Sequence, residues 1–145
     1  MAFVTRNNPK LTLEGAKAVL AAGQRRAEEI KVPMDIAVVD DGGHLLVFER
    51  MDGARPASIA ISLVKAQAAA VRRTPTGPAM SGDAPNLPLS IGLAIASPAE
   101  QTPIRGGIPL IVDAQVVGAI GVSAGTEDQD SDVARAGAAA LTDKP

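Results

Sequence analysis

His44 is the only histidine in a chain of 145 residues, and it follows directly on Asp41-Gly42-Gly43. A lone imidazole does not make a zinc or non-haem iron site, which draws on several His and carboxylate ligands. Haem asks for only one axial ligand from the protein, so a single His is compatible with it. The plainer reading of His44 is a turn residue whose ring packs or caps locally. Arg50-Met51-Asp52-Gly53-Ala54 puts a guanidinium and a carboxylate beside a glycine turn. At a pocket rim Arg50 would hold a carboxylate through two hydrogen bonds, and Asp52 could move a proton; as a charged strand exit neither has a chemical task. Lys65 sits among Leu63, Val64 and Ala66, where a lysine more often extends its ammonium to water than reacts.

Arg105-Gly106-Gly107 reads in two ways. Consecutive glycines let backbone N–H groups converge as an anion nest beside the arginine, and they equally suit a bulge or tight bend before a strand. The run Gly118-Ala119-Ile120-Gly121-Val122-Ser123-Ala124-Gly125 carries spaced glycines but ends a β-run, with no strand-helix-strand unit and downstream acid, so dinucleotide binding is excluded. No Gly-Lys-Ser/Thr phosphate loop or serine nucleophile elbow is present.

These residues need elements to hold them. Leu13, Ala16, Leu20, Gly23, Ala27 and Ile30 step by three and four behind Thr12, which predicts a capped helix from about Leu13 to Ile30 that Pro33 terminates. The β-branched stretch from Asp35 to Asp40, the Gly-rich turn and the stretch from His44 to Arg50 predict a hairpin. Pro56 opens a second helix, with Ile59, Leu63, Ala66 and Ala70 on one face up to Arg72-Arg73. The proline-broken stretch from Ala79 to Pro103 reads as an irregular crossing with a short helix or strand near Leu89 to Ala96. A second hairpin, from Gly107 to Val112 and from Gln115 to Ser123, turns at Asp113-Ala114. Thr126 three residues before Gln129 forms a capping box, and Val133, Ala136 and Ala140 extend that last helix. The sum is α+β: one domain over residues 1–145, residues 1–10 a tail, with an antiparallel sheet and three main helices.

Composition narrows the function. With 46% hydrophobic and 21% charged residues the chain folds around a core. A net charge of −2 and two aromatics, Phe3 and Phe48, argue against nucleic acid, which calls for a basic excess and stacking platforms. The absence of cysteine removes disulfides, thiolate metal sites and thiol nucleophiles. No long continuous apolar run or signal-like start is seen, so a cytoplasmic protein without a membrane partner is expected. Small residues in the helices make a thin core, and a homo-oligomer would bury the missing area.

Several blocks also resemble, in order, the GlcG/HbpS family, related to the C-terminal domain of PduO. They are Ile36-Ala37-Val38-Val39-Asp40-Asp41-Gly42-Gly43-His44-Leu45, Arg50-Met51-Asp52-Gly53-Ala54, Ser58, Lys65-Ala66, Gly106-Gly107-Ile108-Pro109-Leu110, Gly118 to Gly125, and Gln129-Asp130. The resemblance spans Leu11 to Leu141. It implies a profilin-like fold and an even-numbered homo-oligomer, often an octamer. It also implies relatives that bind haem or are linked to cobalamin, others being encoded among catabolic genes. Haem ligation in those relatives does not rest on one shared residue, which leaves His44 as the imidazole candidate here.

Two functions follow. One is a binder of haem or a related tetrapyrrole, with His44, Arg50, Met51, Lys65, Arg105, Gly106 and Gly107 as cofactor-binding candidates and no metal site built by the protein alone. The other is an enzyme acting on a small carboxylate or carbonyl compound, with His44 or Asp52 moving the proton and Arg105 holding the charge.

Overall fold

The computed structural model describes residues 2–142. Residue 1 of the expected tail and residues 143–145 of the expected domain lie outside the described residues. The first helix, α1 (Leu13–Glu29), starts where Thr12 Oγ1 accepts the Gly15 N–H at 3.0 Å. Strands β1 (Asp35–Asp40) and β2 (Leu45–Arg50) form the first hairpin, followed by α2 (Ser58–Arg72), which stops at Arg73 in the left-handed region. Strands β5 (Gly107–Val112) and β6 (Gln115–Ser123) form the last hairpin, and α4 (Glu127–Ala139) begins with the full Thr126/Gln129 capping box. Positive φ at Asp113 and Ala114, 49° and 61°, is the backbone a tight two-residue hairpin turn requires.

The segment from Ala79 to Pro103 is more ordered than its prolines suggest. It holds a miniature hairpin, β3 (Met80–Ser81) with β4 (Ala84–Pro85), and a ten-residue helix, α3 (Leu87–Ala96). Asn86 Oδ1 accepts the Leu89 N–H at 3.0 Å, and Pro88 falls in the first turn, where its missing N–H costs nothing. The described chain thus has four helices; α1, α2 and α4 cover the sheet, and α3 packs along no other helix or strand to any extent.

The sheet is antiparallel in the order β2-β1-β6-β5. Alternation along each strand divides it into two faces. Ile36, Val38, Ile120 and Val122 point at α1 and α4, meeting Val19, Leu20 and Val133, and each buried side chain of this size contributes roughly 1.5–3 kcal/mol. Ala37, Val39 and Ala119 point the other way, at Ala66, Ala69 and Ala70 of α2. That second face is built from small residues because α2 lies almost on the sheet: a Cβ at Gly121 would run into the Ser62 carbonyl and the Ala66 main chain. Gly121 is therefore a packing device for α2, whereas a Cβ at Gly118 would meet the Val39 carbonyl of β1 and the Leu11 side chain.

Candidate functional site

His44 stands at the tip of the β1-β2 hairpin, just before the outer edge strand, with its side chain 83% exposed. The turn is locked from below. Asp40 Oδ1 accepts the main-chain N–H groups of Gly42 and His44, both at 2.9 Å, and the Gly43 N–H donates to the Asp40 carbonyl at 3.1 Å. The same Oδ1 lies 3.3 Å from His44 Nδ1. Partial burial would raise the Asp40 carboxyl, but the His44 and Gly42 N–H groups and the His44 ring outweigh it and hold it below its usual range. With Nδ1 turned to the carboxylate, Nε2 is the ring nitrogen left for another partner.

Arg50, Met51 and Asp52 are gathered in one open groove of about 380 Å³, shared with Gln24, Glu28 and Glu49. Met51 is half a structural residue: its sulfur accepts the Met34 N–H at 3.4 Å while its own N–H donates to the Met34 carbonyl. The groove lies at the far end of β2 from His44, six residues along an extended strand or about 20 Å. The structure does not bring His44 and Asp52 together.

Lys65 is buried rather than extended to water. Its Nζ donates to Asp130 Oδ2 at 2.8 Å and to the Val122 carbonyl at 2.9 Å, and Asp130 Oδ1 accepts the Gly125 N–H at 2.9 Å. The ammonium thus ties α2 to the end of β6 and the first turn of α4. Arg105 turns to α4, with Nη1 on Asp128 Oδ1 at 2.8 Å and its main-chain N–H on Glu127 Oε1 at 2.8 Å. The Gly107 N–H donates to Thr76 Oγ1 at 2.9 Å. A Cβ at Gly107 would run into the Lys65 carbonyl, and Gly106 has φ +125° beside the Lys65 ammonium. The two glycines form a tight bend that lets β5 pass under α2, with their surroundings filled by protein groups.

Sequence reasoning missed two polar places. Asp35, the first residue of β1, is fully buried on the α2 side of the sheet, and neither carboxylate oxygen has a hydrogen-bond partner among the described residues. Burial pushes its carboxyl up, against the pull of Arg50 and Arg55. An acid opposite Arg50 and Ser123 in register was the available signal, but its burial depends on α2. The second is the polar lining, Arg72, Gln101 and Thr102, of a cavity of about 190 Å³ between the end of α2, the 74–79 strap and the Ala79 to Pro103 segment. Among the described residues no group of three or more His, Asp or Glu side chains gathers to hold a metal, and no helix is long and apolar enough to cross a membrane.

Comparison with known proteins agrees with this architecture. The family described as haem degrading protein HbpS-like matches residues 11–139. Protein GlcG of Escherichia coli K12 is 40% identical over 113 residues, 78% of this chain and 81% of its own. The crystal structure of Klebsiella pneumoniae protein ORFY superposes with a TM-score of 0.84 at 31% identity, over 99% of this chain and 100% of that one. The crystal structure of a PduOC:heme complex gives a TM-score of 0.79 at 27% identity, over 91% and 95%. With its α-helices on both faces of the β2-β1-β6-β5 sheet and a family match across nearly its whole length, the chain belongs to the HbpS-like family.

Proposed function

We propose that the protein binds haem or a related tetrapyrrole, with His44 as the axial ligand, and acts in a catabolic or sensing context. The observation that carries this reading is the Asp40–His44 pair: an 83% exposed imidazole whose Nδ1 lies 3.3 Å from a carboxylate that two main-chain N–H groups hold still. A carboxylate behind one ring nitrogen of a metal-binding histidine helps to orient the other toward the metal. The donor set therefore fits a single-histidine haem. When bound, the group supplies an iron centre able to change oxidation state. The chain's own part is to present Nε2, fix the ring through Asp40, and keep the turn rigid through Gly42 and Gly43. The haem carried by the structurally similar PduOC supports this reading.

Arg50 and Met51 belong to the same reading only across subunits, because about 20 Å of strand separates them from His44 within one chain. Assembly as an even-numbered homo-oligomer in the cytoplasm is part of the proposal. Its support is α3, which leaves Leu87, Leu89, Ile91 and Ile95 between 46% and 73% exposed, an apolar surface of the kind that marks interfaces. The test is a titration of the purified protein with haemin, followed in the Soret region. A saturable band at one haem per His44, lost in His44→Ala, is expected; a His44→Ala protein with an unchanged spectrum would overturn the assignment.

A further inference from the structure

The cavity of about 190 Å³ beside α2 has a chemistry of its own. Its volume corresponds to about six water molecules at liquid density and falls below the ~300 Å³ at which pockets for drug-sized ligands begin, so a tetrapyrrole does not fit it. One wall is the last turns of α2, ending in Arg72; a second is the Thr74 to Ala79 strap; Leu93 of α3 and the Gln101-Thr102 pair complete it.

Several polar side chains that line this space can donate. Thr76 Oγ1 already accepts the Gly107 N–H at 2.9 Å and Thr102 Oγ1 the Ile104 N–H at 3.2 Å, which leaves each hydroxyl proton free to point outward. Gln101 is 8% exposed and lines the cavity; its amide makes no hydrogen bond to a protein group among the described residues and stays open to solvent there. The Arg72 guanidinium stands at the mouth, with no carboxylate partner among the described residues. No Asp or Glu lines the cavity, whereas Leu93, Pro75 and Pro78 give it an apolar side.

We infer that this cavity is a binding site for a small organic carboxylate of a few carbon atoms. Its charged end meets Arg72, the Gln101 amide and the threonine hydroxyls, and its carbon body lies against Leu93 and the prolines. A carboxylate oxygen would give the Gln101 amide a charge-assisted hydrogen bond in place of water. The site is separate from His44 and stands whether or not haem binds there.

The experiment is an amide-proton NMR titration of the full chain with propionate, with propionamide and inorganic phosphate run in parallel. Propionate is expected to shift the Gly77, Ala79 and Gln101 resonances saturably, and propionamide to leave them in place. Arg72→Gln, a change at an exposed position that leaves the fold intact, and Gln101→Leu are each expected to weaken propionate by about tenfold or more, the effect of one charge-assisted hydrogen bond. Absence of saturation, or an Arg72→Gln protein that binds propionate as the parent does, overturns the site. Propionamide binding as tightly as propionate overturns its anionic character, and phosphate binding as tightly overturns the assignment to a carbon-bearing acid.

Discussion

Replacing Lys65 by methionine tests whether this residue is a structural ion-pair partner or a ligand-binding group. Met matches the aliphatic stem but removes the ammonium, which is 1% exposed and holds both Asp130 Oδ2 and the Val122 carbonyl. Asp130, itself 3% exposed, keeps only the Gly125 N–H. Breaking one partner of such a buried pair typically costs about 3–5 kcal/mol, because the surviving charge stays in a poorly solvated place. For a domain near this size each kcal/mol lowers the melting temperature by about 2–4 °C, so the expected drop is about 6–20 °C. The loss is a large part of the ~5–15 kcal/mol that stabilises an ordinary domain. A second variant carries the reasoning past the first: Lys65→Met with Asp130→Asn removes the stranded charge and leaves an amide oxygen to accept the Gly125 N–H. Differential scanning calorimetry should find the double variant more stable than Lys65→Met alone, a non-additivity that identifies the pair. A drop under about 3 °C for Lys65→Met, or strictly additive effects, would refute the buried-pair account.

Other perturbations follow from the same structure. Asp35→Asn should change the pH dependence of stability: burial raises the Asp35 carboxyl above 3.8, so its favourable neutral form contributes fully below that value and is lost as pH rises through the folded-state range. The variant should therefore gain on the parent between acid and neutral pH in urea titrations, and a constant difference would contradict the buried, unpartnered carboxyl. Gly121→Ala sets a Cβ against the Ser62 carbonyl and should destabilise by about 1–3 kcal/mol or more, read as a fall in the midpoint of unfolding. Ile91→Asp with Ile95→Asp charges the exposed face of α3 and should leave the fold intact while shifting sedimentation toward smaller species; unchanged assembly would place the subunit interface elsewhere.

Much of the fold was legible because its signals are local. Thr12, the Thr126/Gln129 box and the Asp41-Gly42-Gly43 turn act within four residues, and the structure shows each in its expected place. The helix from Leu87 to Ala96 was legible only in outline. Its residues are apolar all round, so no periodicity separates a helical face from a strand, and Pro88 looks like a breaker until Asn86 is seen to cap it. For the site, residue type pointed to His44, but Asp40 as its partner emerged only from the turn geometry. Arg105-Gly106-Gly107 looked equally like a nest and a bend because the deciding neighbour, the Lys65 carbonyl, is forty residues away in sequence. Gln101 and Arg72 carried no signal at all, since a cavity wall assembled from segments distant in sequence has no motif.

A single histidine makes the central proposal open to one decisive measurement. Protein labelled with nitrogen-15 histidine carries the isotope in imidazole at His44 alone. Resonance Raman spectra of its reduced haem complex report the iron–ligand stretch. This band should move to lower frequency with the label and disappear in His44→Ala; a band indifferent to the label would rule out His44 as the iron's ligand.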